Sequence, residues 1–116
     1  MSDLDPVRRP GEFVFVEAHD ATGAEAAVRE EEGLTVVLRR ERADERGLAY
    51  DYVAAWITLR VDSTLEQVGL TALFSRALAD AGISGNVLAG LHHDHLLVPA
   101  DRGDEAVALL RELSRS

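Results

Sequence analysis

Apolar residues recur with the period of a helix between residues 63 and 82. The spacing i, i+4, i+7, i+8 and i+11 places five of them on one helix face, namely Leu70, Phe74, Ala77, Leu78 and Ala81. Ser63 and Glu66 have the spacing of a capping box. Gly82 suits the left-handed position that follows a helix. The pattern therefore predicts a helix that starts at Ser63 and stops at Gly82.

Runs of β-branched, aromatic and other apolar residues predict five strands. These runs cover residues 12–17, 34–39, 53–61, 87–91 and 96–99. In the third run Trp56, Thr58 and Arg60 alternate with more apolar neighbours, which indicates two different faces. The second run is nearly all apolar, as expected of a central strand.

Three shorter helical segments are predicted from caps and charge. Thr22 to about Glu30 reads as a short helix, and residues 41–46 as a helical turn that buries Ala43. A last helix starts within 101–104, with its apolar stripe at Ala106, Leu109, Leu110 and Leu113. The element order is β-α-β followed by β-α-β-β-α, which predicts an α+β fold with a mostly antiparallel sheet and helices on one face.

The domain organisation follows from this order. Residues 1–10 carry two prolines and mixed charge and are interpreted as a flexible arm. Residues 11–52 form a β-α-β half, and residues 53–116 form a β-α-β-β-α half that shares one sheet with it. The second half lacks a final strand, so we expect a strand from residues 12–39 to complete its edge in one intertwined domain.

The chain resembles the ACT domain family through two stretches and a hairpin. They are Val68-Gly69-Leu70-Thr71-Ala72-Leu73-Phe74, Leu78-Ala79-Asp80-Ala81-Gly82-Ile83-Ser84 and His93-Asp94-His95-Leu96-Leu97-Val98-Pro99. The first two are most similar to the regulatory part of aspartate kinases. The hairpin, with Glu31-Glu32-Gly33-Leu34-Thr35, is similar to small stand-alone bacterial ACT proteins of unassigned function. The resemblance implies a ferredoxin-like fold, regulatory binding of an amino acid or related metabolite, and a homodimer.

By position, the resemblance implies a ligand site at the first strand-to-helix turn, facing a second segment. The implied residues are Asp62, Ser63, Thr64, Leu65, Val68, Gly69, Ser84, Gly85 and Asn86. A helix N-terminus offers free N–H groups to a carboxylate. Asn86 or Asp62 could receive an α-ammonium group. Ser63 as a simple cap, Gly69 as a close-packing glycine and Asn86 as a turn residue are the structural alternatives.

The histidine cluster His92-His93-Asp94-His95 is a second candidate site. On one extended strand His93 and His95 share a face, whereas a turn at His93-Asp94 sets His92 opposite His95. His93, Asp94 and His95 could bind zinc or a similar ion, with His19 added if the fold brings it near. The spacing matches no closed zinc pattern, and a His–Asp pair could equally shape the turn.

Composition narrows the function classes. A net charge of −9 disfavours nucleic acid and anionic membrane as partners. The absence of cysteine excludes disulfides and thiolate sites and fits a cytoplasmic location. Ser63, Ser75 and Ser84 lack the context of a nucleophile, and no glycine-rich phosphate loop precedes a helix. We therefore expect no catalysis and no cofactor, with a ligand-free interaction module as the alternative.

Overall fold

The computed structural model describes residues 4–61, 66 and 68–114, which divide into two compact units. One unit is Gly11–Ala54, and the other comprises the described residues of Met1–Pro10 and Ala55–Ser116. None of the helices among the described residues combines the length and hydropathy needed to cross a bilayer.

Seven strands and three α-helices make up the described chain. The strands are β1 (Pro6–Arg8), β2 (Phe13–Ala18), β3 (Ala26–Glu30), β4 (Gly33–Arg39), β5 (Val53–Leu59), β6 (Asn86–Ala89) and β7 (Asp94–Pro99). The helices are α1 (Arg40–Glu45), α2 (Leu70–Asp80) and α3 (Gly103–Ser114), the last preceded by the 3-10 turn Ala100–Arg102.

The unit Gly11–Ala54 is an antiparallel sheet covered by one short helix. Its strand order is β3-β4-β2 followed by the start of β5. Alternate residues of β2 and β4 pack with Ala43 of α1, forming a cluster of Val14, Val16, Val36, Leu38 and Ala43. The predicted strands over 12–17 and 34–39, the central place of the latter, and the buried Ala43 are confirmed.

The predicted helix from Thr22 to Glu30 is wrong, because Ala26–Glu30 is strand β3. This segment pairs antiparallel with β4 from Ala26 opposite Val37 to Glu30 opposite Gly33. Helix propensities differ by less than about 1 kcal/mol per residue among ordinary side chains, and a helix this short is costly to nucleate. Pairing with β4 satisfies the same backbone groups and therefore decides the conformation.

In the second unit two helices cover one face of a sheet ordered β1-β5-β7-β6. Ala55, Ile57 and Leu59 of β5 are fully buried on the helix side. The other buried members of this cluster are Leu4, Phe74, Leu78, Ile83, Leu96, Val98, Ala106, Val107 and Leu110. The predicted antiparallel sheet with helices on one face is confirmed, as is the stripe of α2 centred on Phe74 and Leu78.

Strand β1 pairs with β5 beyond Val53 and Ala54, the two β5 residues that pair with β2. A strand from residues 12–39 therefore does pair with β5, as the sequence predicts, and β1 is an additional neighbour of β5 that the sequence did not predict. Pro6, Val7 and Arg8 pair with Leu59, Thr58 and Ile57 of β5. Leu4 is 2% exposed, and its N–H donates to the Ser114 hydroxyl at 2.9 Å. Within the described residues the segment 4–10 is therefore part of the second unit, where the sequence predicts a flexible arm.

Helix α2 begins at Leu70, later than the predicted start at Ser63. Gly69 occupies the N-cap position with φ 95°, and its carbonyl accepts the Leu73 N–H at 3.0 Å. Because this left-handed conformation is not helical, a helix cannot run continuously through Gly69. Ser63, the N-cap residue of the predicted capping box, lies outside the described residues. The predicted stop is confirmed, since Gly82 follows the helix with φ 71°.

Candidate functional site

The predicted ligand residues that the structure describes fall at the two ends of α2. Asp62, Ser63, Thr64 and Leu65 lie outside the described residues. Val68 is 95% exposed directly before the helix. A Cβ on Gly69 would meet no described atom within 4 Å, so backbone conformation rather than close packing explains this glycine.

The remaining predicted ligand residues, Ser84, Gly85 and Asn86, lie beyond the other end of the helix. There the Ile83 N–H donates to the Leu78 carbonyl at 2.9 Å, which turns the chain toward β6. An 11-residue helix is about 16 Å long. The structure therefore does not bring the Val68–Gly69 group and the Ser84–Asn86 group together within one chain.

Ser84 and Gly85 line a cleft of about 250 Å³ at the C-terminal end of α2. Its walls are mostly aliphatic and come from α2, β6, β7 and the turn between α2 and β6: Leu78, Ala79, Ile83, Val87 and Leu96. Ser75 and Ser84 add two hydroxyls. The cleft has no charged lining residue among those described, so it suits an apolar group with few polar contacts.

The sequence did not single out Ser75, Ala79 or Val87 as site residues. Their only signal is their position on the last turns of a predicted helix and at the start of a predicted strand. These three residues can be recognised as cleft-lining only when the packing of α2 against β6 is known.

The histidine cluster forms a hairpin turn and the start of β7. The Gly90 N–H donates to the His93 carbonyl at 2.9 Å, which makes Gly90–His93 the turn. Asp94 then pairs with Ala89 and His95 with Leu88. Neither the single extended strand nor the turn at His93-Asp94 is therefore the observed arrangement.

His93 and His95 use their imidazoles for different contacts. His93 Nδ1 lies 3.3 Å from the Val61 carbonyl oxygen. His95 Nδ1 lies 3.2 Å from Trp56 Nε1 and 3.0 Å from Thr58 Oγ1. Across the described part of the chain no three His, Asp or Glu side chains converge in a way that could hold a metal ion.

The contacts of His95 determine its tautomer. Trp56 Nε1–H can only donate, so His95 Nδ1 must accept and the neutral ring carries its proton on Nε2. The two rings meet edge to face with centroids 5.5 Å apart, and the Arg9 guanidinium lies 4.7 Å from the Trp56 ring centroid. Partial burial lowers the pKa of His95, and the charges of His93 and Arg9 lower it further, against a smaller opposite effect of Asp94.

These contacts predict a pH effect on stability. Because the folded-state pKa of His95 is lowered, the unfolded chain takes up this proton first as the pH falls below about 6.5. The His95 contribution is therefore complete above that pH and is lost as the pH falls toward the folded-state pKa. We expect wild type to lose more stability than His95→Gln between pH 7.5 and 5.5 in urea titrations. Parallel losses for the two proteins, or an NMR midpoint for His95 at or above 6.5, would contradict the prediction.

Comparison with models of protein families gives the family of this chain. Two models described as ACT domain match the chain, one over residues 1–55 and the other over residues 52–112. The second alone covers more than half of the chain. This protein belongs to the ACT domain family. Domains of this family are regulatory and bind small molecules. A search of curated protein sequences found no match.

Solved structures agree with this ACT assignment. A protein of unknown function from Vibrio cholerae, described as a possible transport protein, is 40% identical with a TM-score of 0.87, over 95% of this chain and 88% of that one. The regulatory subunit of aspartate kinase from Thermus thermophilus is 8% identical with a TM-score of 0.65, over 93% and 95%. The aspartokinase alpha and beta subunits are 14% identical with a TM-score of 0.67, over 96% and 97%. The last two show a shared fold and confirm the ferredoxin-like class.

Proposed function

We propose that this ACT protein is a regulatory module that binds an amino acid or a closely related small metabolite and catalyses no reaction itself. The observation that carries the proposal is the pair of ACT matches, which together extend from residue 1 to residue 112. A cytoplasmic location accords with the absence of cysteine.

The proposed ligand residues are those predicted from the sequence: Asp62, Ser63, Thr64, Leu65, Val68, Gly69, Ser84, Gly85 and Asn86. The ends of α2 are about 16 Å apart, so Gly69 and Ser84 of one chain cannot both touch a small metabolite. We therefore propose a homodimer in which one ligand lies between Val68–Gly69 of one copy and Ser84–Asn86 of its partner. The exposed edge strand β6, which carries no charged residue, supports pairing of two copies.

The two units differ in their order of strands and helices, and this difference bears on the number of ligands that each chain binds. In the unit Gly11–Ala54, β2 leads through residues 19–25 into strand β3, so no helix follows its first strand. That unit has no helix N-terminus equivalent to the one before Leu70. We propose one ligand per chain rather than two.

Thermal-shift measurements against the twenty amino acids test the proposal. A ligand at about ten times its Kd stabilises the folded state by ~1.4 kcal/mol, which for a chain of this size raises Tm by about 4–8 °C. We expect such a rise for a small group of chemically related amino acids, and calorimetry with one of them to give one site per chain.

The alternative is an interaction module without a ligand, favoured by the exposed Val68 and Leu91, which are 95% and 71% accessible. This alternative predicts no change of Tm with any amino acid at millimolar concentration. It also predicts a dimer, seen by light scattering, that no amino acid strengthens or weakens. Those two results together would replace the ligand-binding proposal.

A further inference from the structure

The cleft at the end of α2 selects the kind of side chain that a ligand can carry. Its floor is formed by Leu78, Ile83 and Leu96, which are 2%, 3% and 0% exposed. Val87, at the side, is 38% exposed. Covering the exposed part of Val87 removes aliphatic surface from water, which is favourable, whereas a charge placed against this aliphatic lining would lose its hydration without a partner.

Gly85 keeps this cleft open. A Cβ at this position would lie 3.1 Å from Leu78 Cδ1, so any larger residue would push into the space above the floor. At about 250 Å³ the cleft is smaller than the pockets of about 300–1,000 Å³ that enclose drug-sized ligands. Its size therefore matches the side chain of a small metabolite.

The polar groups at the cleft are two hydroxyls rather than charges. The Ser75 and Ser84 side chains make no hydrogen bond to another described residue, so both can donate to or accept from a ligand. Two carbonyls at the C-terminal end of α2 and at its C-cap already accept hydrogen bonds: Ala79 from the Gly82 N–H, and Ala81 from Arg102 at 3.0 Å. The helix end thus offers little to an additional cation.

We infer that this cleft binds the aliphatic side chain of an uncharged amino acid such as leucine or valine, with Ser75 and Ser84 contacting its polar end. The inference rests on the proposed function and adds the class of ligand. It excludes amino acids with charged side chains, because none of the described residues that line the cleft could balance a buried charge.

The test titrates ¹⁵N-labelled protein with leucine, valine, aspartate and lysine. We expect leucine and valine to shift the Ser84 and Gly85 amide signals, and aspartate and lysine to leave them unchanged.

Gly85→Val fills the cleft and should weaken leucine binding at least tenfold. Ala27→Val adds the same side chain at an exposed position of strand β3, in the unit Gly11–Ala54, and should bind leucine as wild type does.

Each result decides between the inference and the broader proposal. If aspartate or lysine binds and leucine does not, the aliphatic inference fails while amino-acid binding stands. If no amino acid binds, both fail. If Gly85→Val does not fold, Ser84→Ala takes its place, with an expected loss of leucine affinity of about threefold to tenfold. Wild-type leucine affinity in the variant that is tested, or leucine-induced shifts confined to other residues, would overturn the inference.

Discussion

Replacing Leu4 with alanine is expected to lower the free energy of unfolding by about 2–5 kcal/mol, as for other fully buried leucines. Leu4 is 2% exposed and packs in the cluster formed by β5, α2 and α3. Its truncation leaves a cavity within this buried cluster, and the lost apolar contacts and the cavity both lower stability. Urea denaturation followed by circular dichroism measures the loss.

Leu91→Ala is the matched control for Leu4→Ala. The same atoms are deleted, but Leu91 is 71% exposed at the hairpin turn, so the expected change is within about 0.5 kcal/mol. Equal effects of the two substitutions would mean that residues 4–10 do not complete the sheet in solution. The comparison therefore tests the pairing of β1 with β5, which the sequence did not predict.

Gly103→Ala is expected to cost about 1–3 kcal/mol of stability through overpacking, although alanine is the better helix former. Gly103 starts α3 with φ −61°, so its backbone does not require glycine. A Cβ there would lie 2.7 Å from Ala55 Cβ and 2.7 Å from an Arg8 guanidinium nitrogen. The Arg8 side chain can move, but Ala55 is fully buried on the central strand β5 and cannot.

A double-mutant cycle isolates this contact. In an Ala55→Gly background the opposing methyl is gone, so Gly103→Ala should cost at least about 1 kcal/mol less than in wild type. A Gly103→Ala protein more stable than wild type, as expected at an exposed helix position, would show that α3 does not approach β5 this closely.

Prediction from the sequence succeeded where one residue pattern dominates a segment. The apolar runs that correspond to β2, β4 and β5 form strands because β-branched and aromatic side chains fit a pleated, covered surface. Alternation correctly placed Trp56 and Thr58 on one face, where both meet His95. The sequence could not predict that His95 contacts Trp56 and Thr58, because this contact depends on β7 being the neighbour of β5 in the sheet.

For the candidate site, the sequence predicts a turn at Ser84 and Gly85, and the structure adds that this turn lines a cleft and that Gly69 lies at the other end of α2. Their separation depends on α2 being a rigid rod of fixed rise per residue. Adjacent histidines in the chain acquire different partners, Val61 for His93 and Trp56 with Thr58 for His95, once the hairpin is folded.

The sequence by itself determined the fold class, the family and the places where most helices and strands lie, because these depend on local patterns of side chains. Only the tertiary structure decided that Pro6–Arg8 is a strand and that Ala26–Glu30 is a strand rather than a helix. Both segments are short, and neither can be stable alone. Pro6–Arg8 is a strand because its backbone pairs with β5, which lies about 50 residues later in the sequence. Ala26–Glu30 is a strand because pairing with β4 satisfies its backbone groups in place of a local helix.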